Sequence, residues 1–458
     1  MVQSKKAAGI SVILLLGLFF PWSARAAFAQ EKEEASKPPA IDAGMKAEVV
    51  EKIGELMTKL YIFPDKAKDM AALLTRNLQE ARYDKIEDAQ TFARALTKDL
   101  YSVSQDGHIR CVYNPEMVKR IRAQESQSAE DREKERQQQL REARQENFGF
   151  QEVRLFDGNI GYLDLRVFRG IREAGDTAVA AMNFLANADA VIIDLRRNGG
   201  GSAEMIQLIS SYFLKERTHL NSFEDRGLDT MTQSWSFHYV PGKPMFETDL
   251  YILTSEQTFS AAEEFTYNMK NLKRATIVGE TTGGGAHPGG MRIVNDGFLV
   301  WVPTGRAVNP ISKTNWEGTG VSPDIAVGRD KALEKARALA LEKMIKSATQ
   351  EGTKARLQWA VNDLKAKMEP AAVAEAVLKK YVGRYAEAEI VLESGNICVL
   401  AGKTKLRMIP LNQTYFVPED DSEIQLEFVL DRTGKEYGAV AHFRNGGSQS
   451  LSRIREKN

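Results

Sequence analysis

The stretch Leu253-Thr-Ser-Glu-Gln-Thr-Phe-Ser260-Ala-Ala-Glu-Glu-Phe265 reads as the end of a strand, a tight turn and the start of a helix. Residues 250–253 are an apolar run, and Phe265, Met269 and Leu272 recur at spacings of four and three, one face of a helix. Glu263 and Glu264 in its first turn, with Lys270, Lys273 and Arg274 at its end, complement the helix dipole and fix its direction. Ser260 therefore stands at a helix N-terminus, just past the carboxyl end of a strand. By itself it reads as a helix cap, since serine is a favoured capping residue. The same place suits a nucleophile, because the next backbone N–H groups point at whatever the hydroxyl attacks.

Around this stretch, strands and helices alternate. Residues 160–168 read as a strand, 177–186 as a helix and 190–195 as a buried strand. A loop with Gly199, Gly200 and Gly201 follows, then a helix marked by Met205, Ile206, Ile209, Tyr212 and Phe213. After the Ser260 unit come the strand 275–278 and a second glycine loop, 283–290. Repeated strand–helix units predict a mostly parallel sheet covered by helices over residues 151–330, with ligands at the carboxyl ends of the strands. The loops 198–202 and 258–261 both fall at such ends.

The first glycine loop lacks G-x-G-x-x-G spacing and the Gly-Lys-Ser/Thr of a phosphate loop, and Glu204 would repel a phosphate. It can instead present free N–H groups to the oxyanion of an acyl-transfer intermediate, or be a turn that needs positive φ. The loop alone leaves both open.

The flanks predict further parts. Val49, Ile53, Leu56 and Leu60, then Met70, Leu74 and Leu78, then Phe92, Leu96 and Leu100, form three stripes at helical spacing, a small N-terminal helical bundle over 40–115. It ends in the turn Asp106-Gly-His108. Residues 116–150 hold a charged helix or arm, 331–380 a helical linker, and 381–458 short alternating strands of a small antiparallel β domain. The expected class is thus α/β and multidomain.

Lysines plus arginines equal aspartates plus glutamates at 62 each in 458 residues, which gives no footprint for nucleic acid or an acidic membrane surface. Lys5 and Lys6, the apolar run 10–22 and the small-x-small triplets Ala24-Arg-Ala26 and Ala27-Phe-Ala29 predict a secretory signal peptide over 1–29. The mature chain is then expected to be exported, periplasmic or extracellular, without stable membrane insertion. Two cysteines, Cys111 and Cys398, exclude a disulfide framework and read as free buried thiols. The five histidines are scattered and form no H-E-x-x-H, so neither a catalytic metal nor another cofactor is expected.

Several motifs in order carry a resemblance: Tyr162-Leu-Asp-Leu with Phe168, Val191-Ile-Ile-Asp-Leu-Arg-Arg-Asn-Gly-Gly-Gly201, Thr258-Phe-Ser-Ala-Ala-Glu263, Arg274-Ala-Thr-Ile-Val-Gly-Glu-Thr-Thr-Gly283 and Glu317-Gly-Thr-Gly-Val-Ser-Pro-Asp324. Together they resemble the S41 serine peptidases, which include C-terminal processing proteases, the tricorn core and a retinoid-binding-protein-like branch. The resemblance implies a crotonase-like core, a nucleophile at Ser260, and an oxyanion held by the backbone N–H groups of Ala261 and Gly200. The Ser/Lys branch carries its lysine in T-x-G-K-G, but here that position is Gly285. The tricorn-like branch implies His108 as general base and Glu317 as the acid that orients it, although Gly107 stands where that branch carries a serine.

Serine chemistry needs such partners, since a base must take the hydroxyl proton and a carboxylate must hold the base's tautomer. His287, in the second glycine loop, is the rival base. The residues alone do not rank the two histidines; the resemblance favours His108 and leaves His287 as a contact of the substrate cleft. The implied function is a serine endopeptidase acting on a peptide or protein. Two alternatives are a non-catalytic binder of apolar ligands on the same scaffold and a serine hydrolase of esters or small amides.

Overall fold

Three amphipathic helices form where the N-terminal stripes lie: Ala43–Leu60, Pro64–Gln79 and Ala89–Ser104. Asp42 and Asp88 start the first and third by accepting the N–H groups of Met45 and Thr91 at 2.8 Å. Pro64 opens the second, where its missing N–H has no helical acceptor to serve. The structure, a computed structural model, describes residues 39–420, 423–430 and 437–454. The signal peptide expected over 1–29 lies outside the described residues.

The chain divides into two units, each assembled from segments far apart in sequence. Of the described residues, the first holds 39–134, 223–232 and 285–308; the second holds 135–222, 233–284 and those from 309 on. In the first unit, the three helices turn Val49, Ile53, Met57, Met70, Leu74, Phe92 and Leu96 onto Phe298, Val300 and Val302. Those three belong to Phe298–Pro303, which pairs antiparallel with Gly289–Ile293 on one side and with Arg110–Tyr113 on the other. The hairpin was not foreseen, yet its signal is present: the apolar run 298–303 follows Asp296-Gly297, a turn pair.

The second unit is built on a six-stranded sheet in the order Ile325–Ala326, Ala275–Gly279, Asp249–Thr254, Ala190–Asp194, Ile160–Leu165 and Phe150–Phe156. All neighbours are parallel except the last pair. Alternate side chains go to opposite faces. Leu163, Val191, Ile193, Ile252 and Ile277 pack with helices Ile171–Leu185, Ala203–Ser211 and Ala261–Asn271. Ile160, Tyr162, Ile192, Leu253 and Val278 pack with Ala332–Ser347 and Glu351–Met368. Burial on both faces explains why these strands read as unbroken apolar runs. The expected linker therefore forms the sheet's second helical layer. Helix Ile171–Leu185 begins earlier than the expected 177; the one buried residue of the added turn, Ala174, is too small to leave an aliphatic stripe in the sequence.

The C-terminal module is an eight-stranded antiparallel meander from Gly383–Tyr385 to Ser448–Leu451, its strands in sequence order. A bridge between Tyr385 and Arg453 brings its first strand back to the end of the chain. Tyr381 stacks on Phe428 at 4.0 Å in its core. The α/β class, the mostly parallel core sheet and the antiparallel C-terminal module are those expected from the sequence. Cys111 and Cys398 are free and buried. Among the described residues no helix is long and apolar enough to cross a membrane.

Candidate active site

Strands Ala190–Asp194 and Asp249–Thr254 run parallel with Asp194 opposite Leu253, so the loops after them leave the sheet side by side. Side-chain oxygens then stitch the two loops together. The Ser255 hydroxyl donates to Arg196 O at 2.6 Å, the Thr258 hydroxyl to Leu195 O at 2.8 Å, and Phe259 N–H to Asn198 O at 3.1 Å. Asp194 fixes the base of the first loop through Arg196, whose Nε and Nη2 donate to it at 2.9 and 2.5 Å, and through the Tyr162 hydroxyl at 2.9 Å.

Ser260 follows with φ 53° and ψ −120°. A helix cap ordinarily has extended dihedrals; Ser260 caps the helix in a capping box with Glu263, but with a backbone that caps do not usually adopt. A residue with a Cβ is strained there, by about 1–3 kcal/mol, and such strain collects at working sites. A strained serine on a strand-to-helix turn projects its hydroxyl clear of the sheet end. Ala261 begins the helix, where an N–H has no intrahelical acceptor. Sequence reasoning gave Glu263 only a dipole role. It is fully buried, its Oε2 accepts Ser260 N–H at 2.9 Å, and its Oε1 accepts the Thr282 hydroxyl at 2.5 Å and Gly284 N–H at 2.7 Å.

Gly200 lies against this turn. A Cβ there would come within 2.9 Å of Ser260 Cβ and 3.1 Å of Ala261 N, and its φ is 117°. Its N–H, however, donates to Asn198 Oδ1 at 2.9 Å. The residue expected to supply an oxyanion donor is thus beside Ser260 with that donor engaged, because the asparagine side chain folds back two residues on, as in an Asx turn. Asn198 was read as part of the motif without this role. Glu317 is half-buried, and its N–H donates to Asn315 Oδ1 at 3.0 Å. The next residue, Gly318, donates to Gly284 O at 3.0 Å, which ties the Glu317 loop to the segment that Glu263 grips.

In the first unit, the left-handed Gln105 at φ 56° ends helix Ala89–Ser104 and turns the chain into Asp106-Gly-His108. Asp106 is wholly buried. Its Oδ1 accepts His108 N–H at 3.0 Å; its Oδ2 faces His287 Nδ1 at 2.7 Å and accepts the Tyr61 hydroxyl at 3.2 Å. The His108 ring lies farther from the carboxylate, with Nδ1 3.9 Å from Oδ1. His287, which the resemblance leaves as a contact of the substrate cleft, is 5% exposed and packs edge-on against Phe63 at 5.4 Å. Asp106 and His287 are metal-ligating types. Two ligands of one tetrahedral zinc at about 2.0–2.1 Å would stand about 3.3 Å apart; their closer approach is that of a hydrogen bond.

Comparison with known families places both units. The model of peptidase family S41 matches residues 159–327, and that of the N-terminal domain of peptidase S41 in eukaryotic IRBP matches residues 43–148, together more than half of the chain. The chain belongs to peptidase family S41. A curated relative of this S41 chain is the chloroplastic carboxyl-terminal-processing peptidase 2 of Arabidopsis thaliana, 29% identical over 171 residues, 36% of this chain. The match spans 31% of that relative's length.

Among solved structures, one from Parabacteroides merdae assigned as a peptidase aligns at TM-score 0.45 and 20% identity over 67% of this chain and 99% of its own. The photosystem II D1 C-terminal processing protease aligns at TM-score 0.38 and 14% identity, over 62% and 93%. In this S41 chain Ser260, Ala261, Gly200 and Glu317 are all carried by the second unit, and His108 by the first.

Proposed function

We propose that this S41 protein is an exported serine endopeptidase that cleaves peptide or protein substrates through an acyl-enzyme. In this reading the Ser260 hydroxyl attacks the scissile carbonyl while a histidine takes its proton. That proton then passes to the leaving amine, and water hydrolyses the ester. His108 is the base and Glu317 the acid that orients it, as the family resemblance implies; Ala261 N–H stabilises the oxyanion, joined by Gly200 N–H once it leaves Asn198 Oδ1. The observation that carries the reading is the backbone of Ser260, strained at φ 53° at a strand-to-helix turn against a glycine loop. A fluorophosphonate probe is expected to label the wild type and not Ser260→Ala. Equal labelling of both would place the nucleophile elsewhere.

One observation favours a second assignment of the base. A carboxylate at 2.7 Å from Nδ1 is what holds an imidazole in the tautomer that leaves Nε2 basic, and His287 has it from Asp106. Probe labelling rates decide between them. If His108→Ala loses labelling and His287→Ala keeps it, His108 is the base; the reverse result assigns it to His287 with Asp106. Export is tested by sequencing the N-terminus of the protein recovered outside the cytoplasm, with cleavage expected within residues 24–30.

A further inference from the structure

A serine hydroxyl is only as well placed as the backbone beneath it, and the Ser260 backbone sits in a conformation that must be held. We infer that Glu263 is a positioning residue, whose carboxylate clamps the nucleophile turn to the loop carrying Glu317 and thereby sets the reactivity of Ser260. The inference rests on reading Ser260 as the nucleophile.

A glutamate three residues after a helix cap ordinarily satisfies the cap's N–H and no more. Glu263 does this with one oxygen, at 2.9 Å from Ser260 N. Its other oxygen reaches residues 19 and 21 positions on, the Thr282 hydroxyl at 2.5 Å and Gly284 N–H at 2.7 Å. The direction of these bonds is fixed. Thr282 Oγ1 accepts Val321 N–H at 2.7 Å, so its single proton goes to Glu263. Thr282 N–H in turn donates to Val321 O at 3.3 Å, and Gly284 O accepts Gly318 N–H at 3.0 Å. Hydrogen bonds therefore run unbroken from the Ser260 amide through Glu263 to both sides of the segment 318–321, next to Glu317. The approach is close. Gly284 has φ 83°, and a Cβ there would lie 3.1 Å from Gly320 N and 3.3 Å from Gly318 C.

The chemistry requires a carboxylate. Both oxygens face donors, and an ionised carboxylate accepts on both, whereas a glutamine must turn its NH₂ toward one donor set. Glu263→Gln therefore keeps the size of the side chain and breaks one end of the clamp. Glu263→Asp keeps two acceptors on a shorter stem.

The test compares fluorophosphonate labelling rate and end-point in wild type, Glu263→Gln, Glu263→Asp and Ser260→Ala, with kcat and KM on one peptide substrate. The expected result is about a 100-fold lower labelling rate and kcat for Glu263→Gln, the scale of losing one preorganised donor. KM should change little and labelling should still run to completion, while Glu263→Asp recovers part of the rate. An unchanged rate overturns the inference. So does a rate that falls only in step with a reduced end-point, because that is a loss of folded protein. If Glu263→Gln does not fold, Thr282→Val decides on the same criteria, with about a tenfold loss expected from removing one hydroxyl. Failure of the serine-nucleophile reading looks different: the wild type does not label, or Ser260→Ala labels as the wild type does.

Discussion

His287 Nδ1 lies 2.7 Å from Asp106 Oδ2, a bond between residues 181 positions apart in the chain. The other oxygen of the same buried carboxylate takes the backbone N–H of His108. One aspartate therefore orients the turn that carries one histidine and the ring of the other. Neither histidine can be understood without it.

Asp106→Asn tests that hub. An amide offers one acceptor and one NH₂, so with its oxygen kept on His108 N–H its NH₂ faces His287 and Tyr61, which must then both turn from donors into acceptors or leave it unsatisfied. A buried unsatisfied donor costs about 1–3 kcal/mol, whereas Tyr61→Phe, which removes one bond of 3.2 Å, should cost about 0.5–1.5 kcal/mol. Urea denaturation of the two variants is expected to rank them in that order, with peptide turnover falling more for Asp106→Asn. The reverse ranking would reduce Asp106 to an ordinary buried carboxylate.

Ser260 offers a stability test that is independent of activity. Glycine accepts positive φ without a Cβ clash, so Ser260→Gly should relieve strain that Ser260→Ala retains. Both variants should be inactive toward the probe. The glycine variant is expected to be more stable than the alanine variant by about 1 kcal/mol in urea unfolding. Equal stability would mean that the turn is relaxed in solution.

Gly200→Ala should silence the site from the other side. The added methyl would sit 2.9 Å from Ser260 Cβ, at a φ of 117° that alanine avoids. Loss of labelling with a drop of about 1–3 kcal/mol in stability is expected. Its neighbour Gly201 is tighter still, since a Cβ there would meet Phe168 O at 2.0 Å. Gly201→Ala is therefore expected not to fold, and recovery of soluble protein is the check.

These residues show what the chain made legible. The N-terminal helices, the strand-turn-helix at Ser260 and the parallel sheet were readable because caps, dipole charges and apolar periodicity are local. The positive φ of Ser260 was not, because serine, unlike glycine, does not advertise it. The Asp106–His287 bond was hidden for a different reason. It joins a turn at residue 106 to a loop at 287, brought into one unit by the hairpin Gly289–Ile293 and Phe298–Pro303 pairing with Arg110–Tyr113. Glu263 was seen as a charge at a helix start, since nothing in its neighbourhood names Thr282 and Gly284 as partners.

Glu264 gives the fold a pH dependence of predictable sign. It is 3% exposed in the first turn of the Ser260 helix, and burial raises its carboxyl from 4.5 to about 8; the amides of Asn221 and Asn268 pull the other way, more weakly. Among the described residues, Glu264 Oε1 and the Nδ2 atoms of Asn221 and Asn268 reach no hydrogen-bond partner, which is why the amides offset the burial only weakly. Below pH 4.5 folded and unfolded chains both carry this proton. Between 4.5 and about 8 the unfolded chain has lost it while the folded chain keeps it, so stability falls as pH rises. Above that range both states are ionised and the slope vanishes. The contribution is on the order of a few kcal/mol. Glu264→Gln keeps a neutral side chain of the same size, so the difference between its urea midpoint and the wild type's should grow steadily across the window. A difference that stays constant from acid to alkaline pH would show that Glu264 titrates alike in the folded and unfolded chains.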